Sequence, residues 1–245
     1  MLDKDQARIT FLGQAGYIIE SQGIRVVIDP YLSDSVGRLD PRFTRQVPIP
    51  MKPKALRADY FIVTHNHLDH LDPETIAAYP HKDSTLFIAP RRAARALREL
   101  GVPRIQVVDH GDEAVFPGLR ISGVFALGSD PDVVDTTGYH IAFDNGRSVY
   151  HTSDTAFCSL LTQACPKAEV LLCCINGKDG NLTIDEAVRL TRAVGPRYVI
   201  PNHYDMMALN AEDPRAFQYF HEAGNAPGQC TILSIMETFE WREER

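Results

Sequence analysis

The sequence predicts an α/β protein built on mixed β-sheets, and three observations carry that reading. Two groups of short β-type runs are joined by tight turns, one at the start of the chain and one in its middle. Helical patterns are interspersed from residue 72 onward, and several apolar runs end in a histidine or an aspartate. Strand ends are where α/β folds place their sites. At 245 residues the chain can bury one large core, and no Pro, Gly or Ser-rich linker divides it, so residues 1–245 read as one domain.

Taken in order, Ile9 to Leu12, Tyr17 to Glu20 and Ile24 to Asp29 form a meander separated by Gly13 to Gly16 and by Gly23. Asp29 closes the third run and Pro30 stops it. An acid there reads as a brace for a metal-bound histidine or as an Asx turn, ahead of a direct ligand. Residues 31–57 are proline-rich and aperiodic, which suits a lid over a site and a loop covering a sheet edge equally well. Tyr60 to Thr64 is a buried-strand candidate. Asp72-Pro73-Glu74 starts a helix that ends by Pro80, and a strand at Leu86 to Ala89, a helix from Pro90 to Leu100 and a strand at Ile105 to Val108 follow.

The second meander comprises two strands within Glu113 to Phe125, around Pro117-Gly118, and a hairpin of Tyr139 to Phe143 with Ser148 to His151 around Asp144-Asn145-Gly146. It runs out into Asp154. Glu169 to Ile175 is a buried strand, Asn176 to Asn181 a Gly-rich turn, and Thr183-Ile184-Asp185-Glu186 a capping box opening a helix to Ala193. The strand Arg197 to Ile200 leads into His203. Asp213-Pro214 starts a last helix through Phe220, and Thr231 to Met236 with Thr238 to Trp241 supply closing β structure.

A net charge of -7, from 25 basic and 32 acidic residues, creates no global field for nucleic acid or an anionic membrane. Arg91, Arg92, Arg95 and Arg98 lie at helical spacing beside Ala93, Ala94, Ala96 and Leu97, as on a solvated helix face. The chain holds five cysteines, with Cys173 and Cys174 inside an apolar run, which suits reduced thiols. The opening residues are charged and no apolar run approaches membrane-spanning length. These features predict a cytoplasmic protein acting on a small molecule, with no nucleic-acid or membrane partner, and leave monomer and homo-oligomer open.

Three histidines and an aspartate fall within six positions, at His65, His67, Asp69 and His70. Two residues apart in an extended chain, His65 and His67 point the same way and can share one ion, while Asp69 and His70 follow a turn and can face a second. Neutral imidazole suits zinc, iron or manganese, and a carboxylate beside it suits a hard or borderline divalent ion. Placed between two ions, Asp154 would bridge them, with His203 joining Asp69 and His70. Two ions about 3.5 to 4 Å apart can acidify one water held between them. His151 either braces this site or packs in the sheet end. Lys178 and Asn181 are candidates to hold an anionic substrate group, against the alternative of a solvated turn. His81, His110, His140 and His221 lack partners in the pattern and read as structural or solvated.

Thr64 to His70 resembles the His-X-His-X-Asp-His motif of the metallo-β-lactamase fold superfamily, with Asp29 before it, after the early strands, and Asp154 and His203 after it, in the order that family shows. Within it the chain most resembles the L-ascorbate-6-phosphate lactonase group, through Phe11-Leu12-Gly13, Tyr150 to Asp154 and Val199 to Asp205. The resemblance implies a four-layer αβ/βα sandwich, two mixed sheets face to face with helices outside. It also implies one or two divalent ions, zinc or manganese, and hydrolysis of a small anionic lactone or ester, with Asp69 orienting or deprotonating the water. Gly128 stands where the superfamily usually supplies one more histidine, so the ion of His65 and His67 should be the weaker one, with Asp130 either compensating or serving a turn. Two rivals are a phosphodiesterase of a small or cyclic phosphate and a non-catalytic metal-binding interaction protein on the same fold.

Overall fold

The computed structural model describes residues 5–128 and 133–242. Its first half opens with β1 (Gln6–Gly13), β2 (Gly16–Ser21) and β3 (Ile24–Ile28) as an antiparallel meander, to which β4 (Tyr60–Ile62), β5 (Leu86–Ala89) and β6 (Ile105–Val107) add in parallel. The second half repeats the plan. The antiparallel strands β7 (Glu113–Phe116), β8 (Leu119–Phe125), β9 (Thr137–Phe143) and β10 (Ser148–His151) are followed by parallel β11 (Val170–Cys174), β12 (Tyr198–Asn202) and β13 (Gln229–Cys230). Strand β14 (Thr238–Arg242) returns to pair antiparallel with β1, so each sheet has seven strands.

Parallel strands need crossovers, and these supply the outer layers. In the first half they are α1 (Ser35–Leu39), α2 (Pro73–Ala78) and α3 (Arg91–Glu99); in the second, α4 (Ser159–Ala164), α5 (Ile184–Val194) and α6 (Pro214–Ala223). The period of two along each strand assigns its faces. Val26 and Ile28 join Ile9, Ile62, Ile141 and Val149 in the core between the sheets, whereas Val27, Phe61 and Phe87 pack with Ala93 and Leu97 under the first helical layer. The result is the expected four-layer αβ/βα sandwich. Helix α3 buries Ala93, Ala94 and Leu97 and leaves Arg91, Arg92, Arg95 and Arg98 exposed. Helix α5 starts with the anticipated capping box of Thr183 and Glu186 and stops at Gly195, whose φ of 65° is left-handed.

The structure departs from expectation at Thr231 to Met236, which is not a strand. This stretch is the passage from β13 in one sheet to β14 in the other, and a segment that changes sheets cannot pair along either. Only its ends bond to the strands it leaves and joins, Thr231 N donating to Val199 O at 2.9 Å and Met236 N to Phe11 O at 2.7 Å, while Glu237 N closes a turn on Ser234 O at 2.9 Å. Its apolar character goes into packing, since Leu233 is buried. The excursion over 31–57 is also more ordered than its composition suggests, with α1 and two single turns of 3-10 helix at Pro41–Phe43 and Pro53–Ala55. Helix α4 carries no strong sequence signal and was not anticipated. Among the described residues all five cysteines are free thiols, and no helix is long and apolar enough to cross a membrane.

Candidate metal centre

Adjacent parallel strands β3 and β4 end together, and their ends build the first part of the site. Asp29 is fully buried and accepts three hydrogen bonds: from Thr64 N at 2.9 Å, from Thr64 Oγ1 at 2.6 Å and from His70 Nδ1 at 2.7 Å. The Thr64 hydroxyl spends its only proton on Asp29, so it is an acceptor for His65 Nδ1, 3.0 Å away. Both imidazoles therefore carry their proton on Nδ1 and turn Nε2 toward the cleft. Among the described residues those two buried Nε2 atoms have no hydrogen-bond partner, and neither has Asp154 Oδ1.

Asp154 follows β10, where Ser153 adopts φ of 61°. Ser153 N donates to His151 Nδ1 at 3.0 Å, and His151 Nε2 donates to Ala15 O at 3.0 Å. Both ring nitrogens of His151 thus meet backbone, so this residue packs in the sheet end and shapes the turn that presents Asp154. Asn181 donates through Nδ2 to Asp154 Oδ2 at 2.8 Å. His203 lies beyond β12 with φ of 62°; its N–H donates to Gln14 O at 2.8 Å and its Nδ1 to Asn210 Oδ1 at 3.0 Å, which again aims Nε2 into the site. Asn176 supports Asn210 through a further hydrogen bond. Gln14 Nε2 lies 2.7 Å from Asp69 Oδ2.

The donor atoms form two triads. Those of His65, His70 and Asp154 lie within 4.8 Å of one another, as do those of Asp69, His70 and His203. His70 Nε2 is 3.4 Å from Asp154 Oδ1 and 3.7 Å from Asp69 Oδ2, while His203 Nε2 is 3.1 Å from Asp154 Oδ2 and 3.6 Å from Asp69 Oδ2. His70 is common to both triads, where the sequence suggested it would serve only the second ion. The cause is the turn after His67: His70 N and Leu71 N both donate to His67 O, at 3.0 and 2.7 Å. That turn brings the His70 ring centroid to 4.1 Å from that of His65, closer than the 4.7 Å between His65 and His67. His67 faces the same cleft beside His65.

Four residues other than glycine around the site, Gln14, Asp29, Ser153 and His203, hold positive φ angles of 54°, 42°, 61° and 62°. Such conformations cost of order 1 kcal/mol or more each, and they persist where surrounding contacts enforce them. Charge is equally constrained. Burial and the neighbouring His70 push His65 down to about 3, so its ring is neutral. Burial also opposes charge on His203, but Asp154 and Asp69 outweigh it and raise the group to about 9. His70 is raised well above its ordinary value by the same kind of competition, with Asp154, Asp69 and Asp29 overcoming burial. Burial penalises ionised Asp29, Asp69 and Asp154, yet the histidines hold all three below the usual carboxylate range. Unpaired imidazole nitrogens and ionised carboxylates at one point make a donor set that fits a divalent ion.

The cleft above these donors has a volume of about 210 Å³ and is flanked by Val36 and Phe43 from the 31–57 excursion, with Val133, Thr136, Asp179, Asn181, Met207 and Asn210. Gly128 is in its wall, but a Cβ there would come within 2.3 Å of Val133 O. The chain from Val133 has closed over the place a histidine side chain would need, so the position is filled by backbone. Asp130 lies outside the described residues. Lys178 is not at the cleft; its ammonium donates to Ala211 O. Thr64, Gln14, Asn176 and Asn210 are the polar residues around the candidate site that sequence reasoning missed. Gln14 had a readable signal, as the polar residue of a turn lying at the same sheet edge as Asp29.

Two stacked mixed sheets carrying an imidazole and carboxylate cluster at one edge define the class of metallo-β-lactamase-like αβ/βα sandwiches. Residues 24–204 match the beta-lactamase superfamily domain, and the chain belongs to that family. It is 28% identical over 249 residues to a UPF0173 metal-dependent hydrolase of Archaeoglobus fulgidus, covering 96% of this chain and 100% of that one. Igni18, a metallo hydrolase from the hyperthermophilic archaeon Ignicoccus hospitalis, superposes with a TM-score of 0.79 at 23% identity, over 98% of this chain and 100% of that one. An isothiocyanate hydrolase from Delia radicum gut bacteria gives 0.77 at 19%, over 96% and 99%.

Proposed function

We propose that the protein is a metal-dependent hydrolase of small lactones or esters, working with zinc or manganese in the cytoplasm. The observation that carries this reading is the convergence of three buried donor atoms, His65 Nε2, His70 Nε2 and Asp154 Oδ1, that have no hydrogen-bond partner among the described residues, beneath a cleft of about 210 Å³. When bound, a divalent ion supplies Lewis acidity toward a carbonyl and lowers the pKa of a water. Asp69 is ionised and open to the cleft, so it can take the proton of an attacking water. Val36, Phe43 and Met207 form an apolar wall for the substrate's carbon skeleton.

The cleft is small beside the roughly 300–1,000 Å³ of pockets for drug-sized ligands, which favours a compact ring or short ester over a polymer. Among the described residues no lysine or arginine lines it. An anionic substituent would therefore depend on the ions for its counter-charge, and an uncharged lactone or ester fits the cleft better than a phosphorylated one. Free thiols throughout, with Cys173 and Cys174 adjacent and buried, suit a reducing compartment.

Purified protein loaded with zinc or with manganese, assayed against lactones, esters and phosphodiesters, tests this reading. Turnover of lactones or esters is expected, lost with a chelator and recovered on adding metal back. Asp69→Asn should abolish turnover while metal remains bound at the His65 triad, as metal analysis of the same sample will show. Cleavage of phosphodiesters alone would overturn the substrate class.

A further inference from the structure

Gln14 is the polar residue of the β1–β2 turn and is only 1% exposed. Its Nε2 lies 2.7 Å from Asp69 Oδ2 and 3.1 Å from His203 Nε2, and those two atoms are 3.6 Å apart. Donor atoms bound to one ion at about 2.0–2.2 Å stand roughly 3–3.5 Å from each other. The tip of Gln14 thus occupies the place of another donor in the Asp69–His70–His203 triad.

A primary amide has two ends of opposite character. The NH2 end donates to anions, the oxygen accepts and binds cations, and a half-turn about the last side-chain bond exchanges them. Facing the Asp69 carboxylate alone, the NH2 end is the favourable one. Facing a divalent ion, the oxygen is. The backbone leaves the residue little other freedom: Gln14 at φ of 54° accepts the N–H of His203, itself at 62°, in a 2.8 Å bond that clasps the two left-handed residues together.

We propose that Gln14 is a protein ligand to the ion of the Asp69–His70–His203 triad, binding through Oε1, with its amide turning over as the metal enters. The proposal rests on the metal-dependent reading above. It makes this site the more oxygen-rich of the two, with a neutral oxygen beside the carboxylates, and so the one suited to a harder ion such as manganese.

The test is Mn2+ uptake by the full chain, followed by calorimetry and by the electron spin resonance of free Mn2+, for the wild type, Gln14→Met and Gln14→Glu. Methionine keeps the volume and removes the oxygen; glutamate keeps an oxygen and removes the NH2. Gln14→Met should weaken one binding event about tenfold or more and leave any other unchanged, while Gln14→Glu should bind at least as tightly as the wild type. Two results would overturn the proposal while leaving the metal reading intact. One is Gln14→Met binding like the wild type. The other is Gln14→Glu weakened as much as Gln14→Met, which is the behaviour of an amide that only donates to Asp69. A wild-type chain that takes up no ion would overturn the metal reading and this proposal with it.

Discussion

The two halves of the molecule share a plan and build their parts of the candidate metal centre by different means. The first half concentrates its donors in one loop, His65 to His70, and braces two of them with a single buried anion, Asp29, which takes three hydrogen bonds. The second half contributes Asp154 and His203 from separate strands and braces them with neutral amides, Asn181 on the acid and Asn210 on the histidine. An ionised brace orients the rings and also draws positive charge toward them. A neutral brace only orients. The first half should accordingly depend on its brace more heavily than the second, in stability and in metal affinity together.

Replacing the charged brace is the most severe way to probe that contrast. Asp29→Asn removes the anion from a pair in which both side chains are fully buried. It is expected to cost about 3 kcal/mol in urea unfolding of the metal-free protein and roughly 10–100-fold in metal affinity. A loss of affinity with unchanged stability would place the Asp29 contribution in orientation only and erase the difference between the halves.

Stability against pH separates the buried histidines from the buried carboxylates by sign. In the metal-free protein the His203 contribution is complete below the ordinary 6.5 and is lost as pH rises toward about 9, with the raised His70 adding to that alkaline loss. Asp29 is depressed, so its contribution is present at neutral pH and disappears only in acid, below the ordinary 3.8. Metal reverses the alkaline limb, because an ion displaces those histidine protons and binds more tightly as pH rises through the same range. Urea midpoints with and without metal between pH 6 and 10 should diverge; parallel curves would show that His203 and His70 are not where the ion competes with protons.

Gly128→His addresses the position at which the sequence suggests a missing ligand. Because Val133 O stands 2.3 Å from a Cβ there, the substitution is expected to destabilise by about 1–3 kcal/mol and to leave metal stoichiometry unchanged. A gain of one tightly held ion would mean that Val133 yields to the side chain. The smallest effect should come from Asn210→Ala, which removes a neutral brace: about tenfold in affinity for one ion and about 1 kcal/mol in stability. An Asn210 effect equal to that of Asp29 would break the comparison outright.

The parts of the site that were legible are local. His65, His67, Asp69 and His70 announce themselves because ligand residue types rarely crowd into six positions, and Asp29, Asp154 and His203 because each ends an apolar run. The α5 capping box and the two meanders are local for the same reason, depending on neighbours a few residues apart. Asn210 was not legible and Gln14 offered only its place in a turn at the sheet edge, since amides occur in countless turns and their roles come from contacts across the chain, 189 residues in the case of Gln14 with His203. Lys178 misled because a lysine on a Gly-rich turn near the site looks available, whereas its ammonium is committed to Ala211 O.

By itself, then, the sequence determined which residue types could bind metal and that strand ends would carry them, because hydrophobic period and ligand chemistry are properties of short stretches. Only the tertiary structure decided how the donors divide. The turn at His67 stacks His70 against His65 and makes it common to both triads, and the closure of Val133 over Gly128 removes the place for another histidine. Thr231 to Met236 lost its strand pattern to the passage between sheets for the same physical reason: a side chain's neighbours, and a backbone's partners, are set by which elements pack together, and packing is a property of the whole chain.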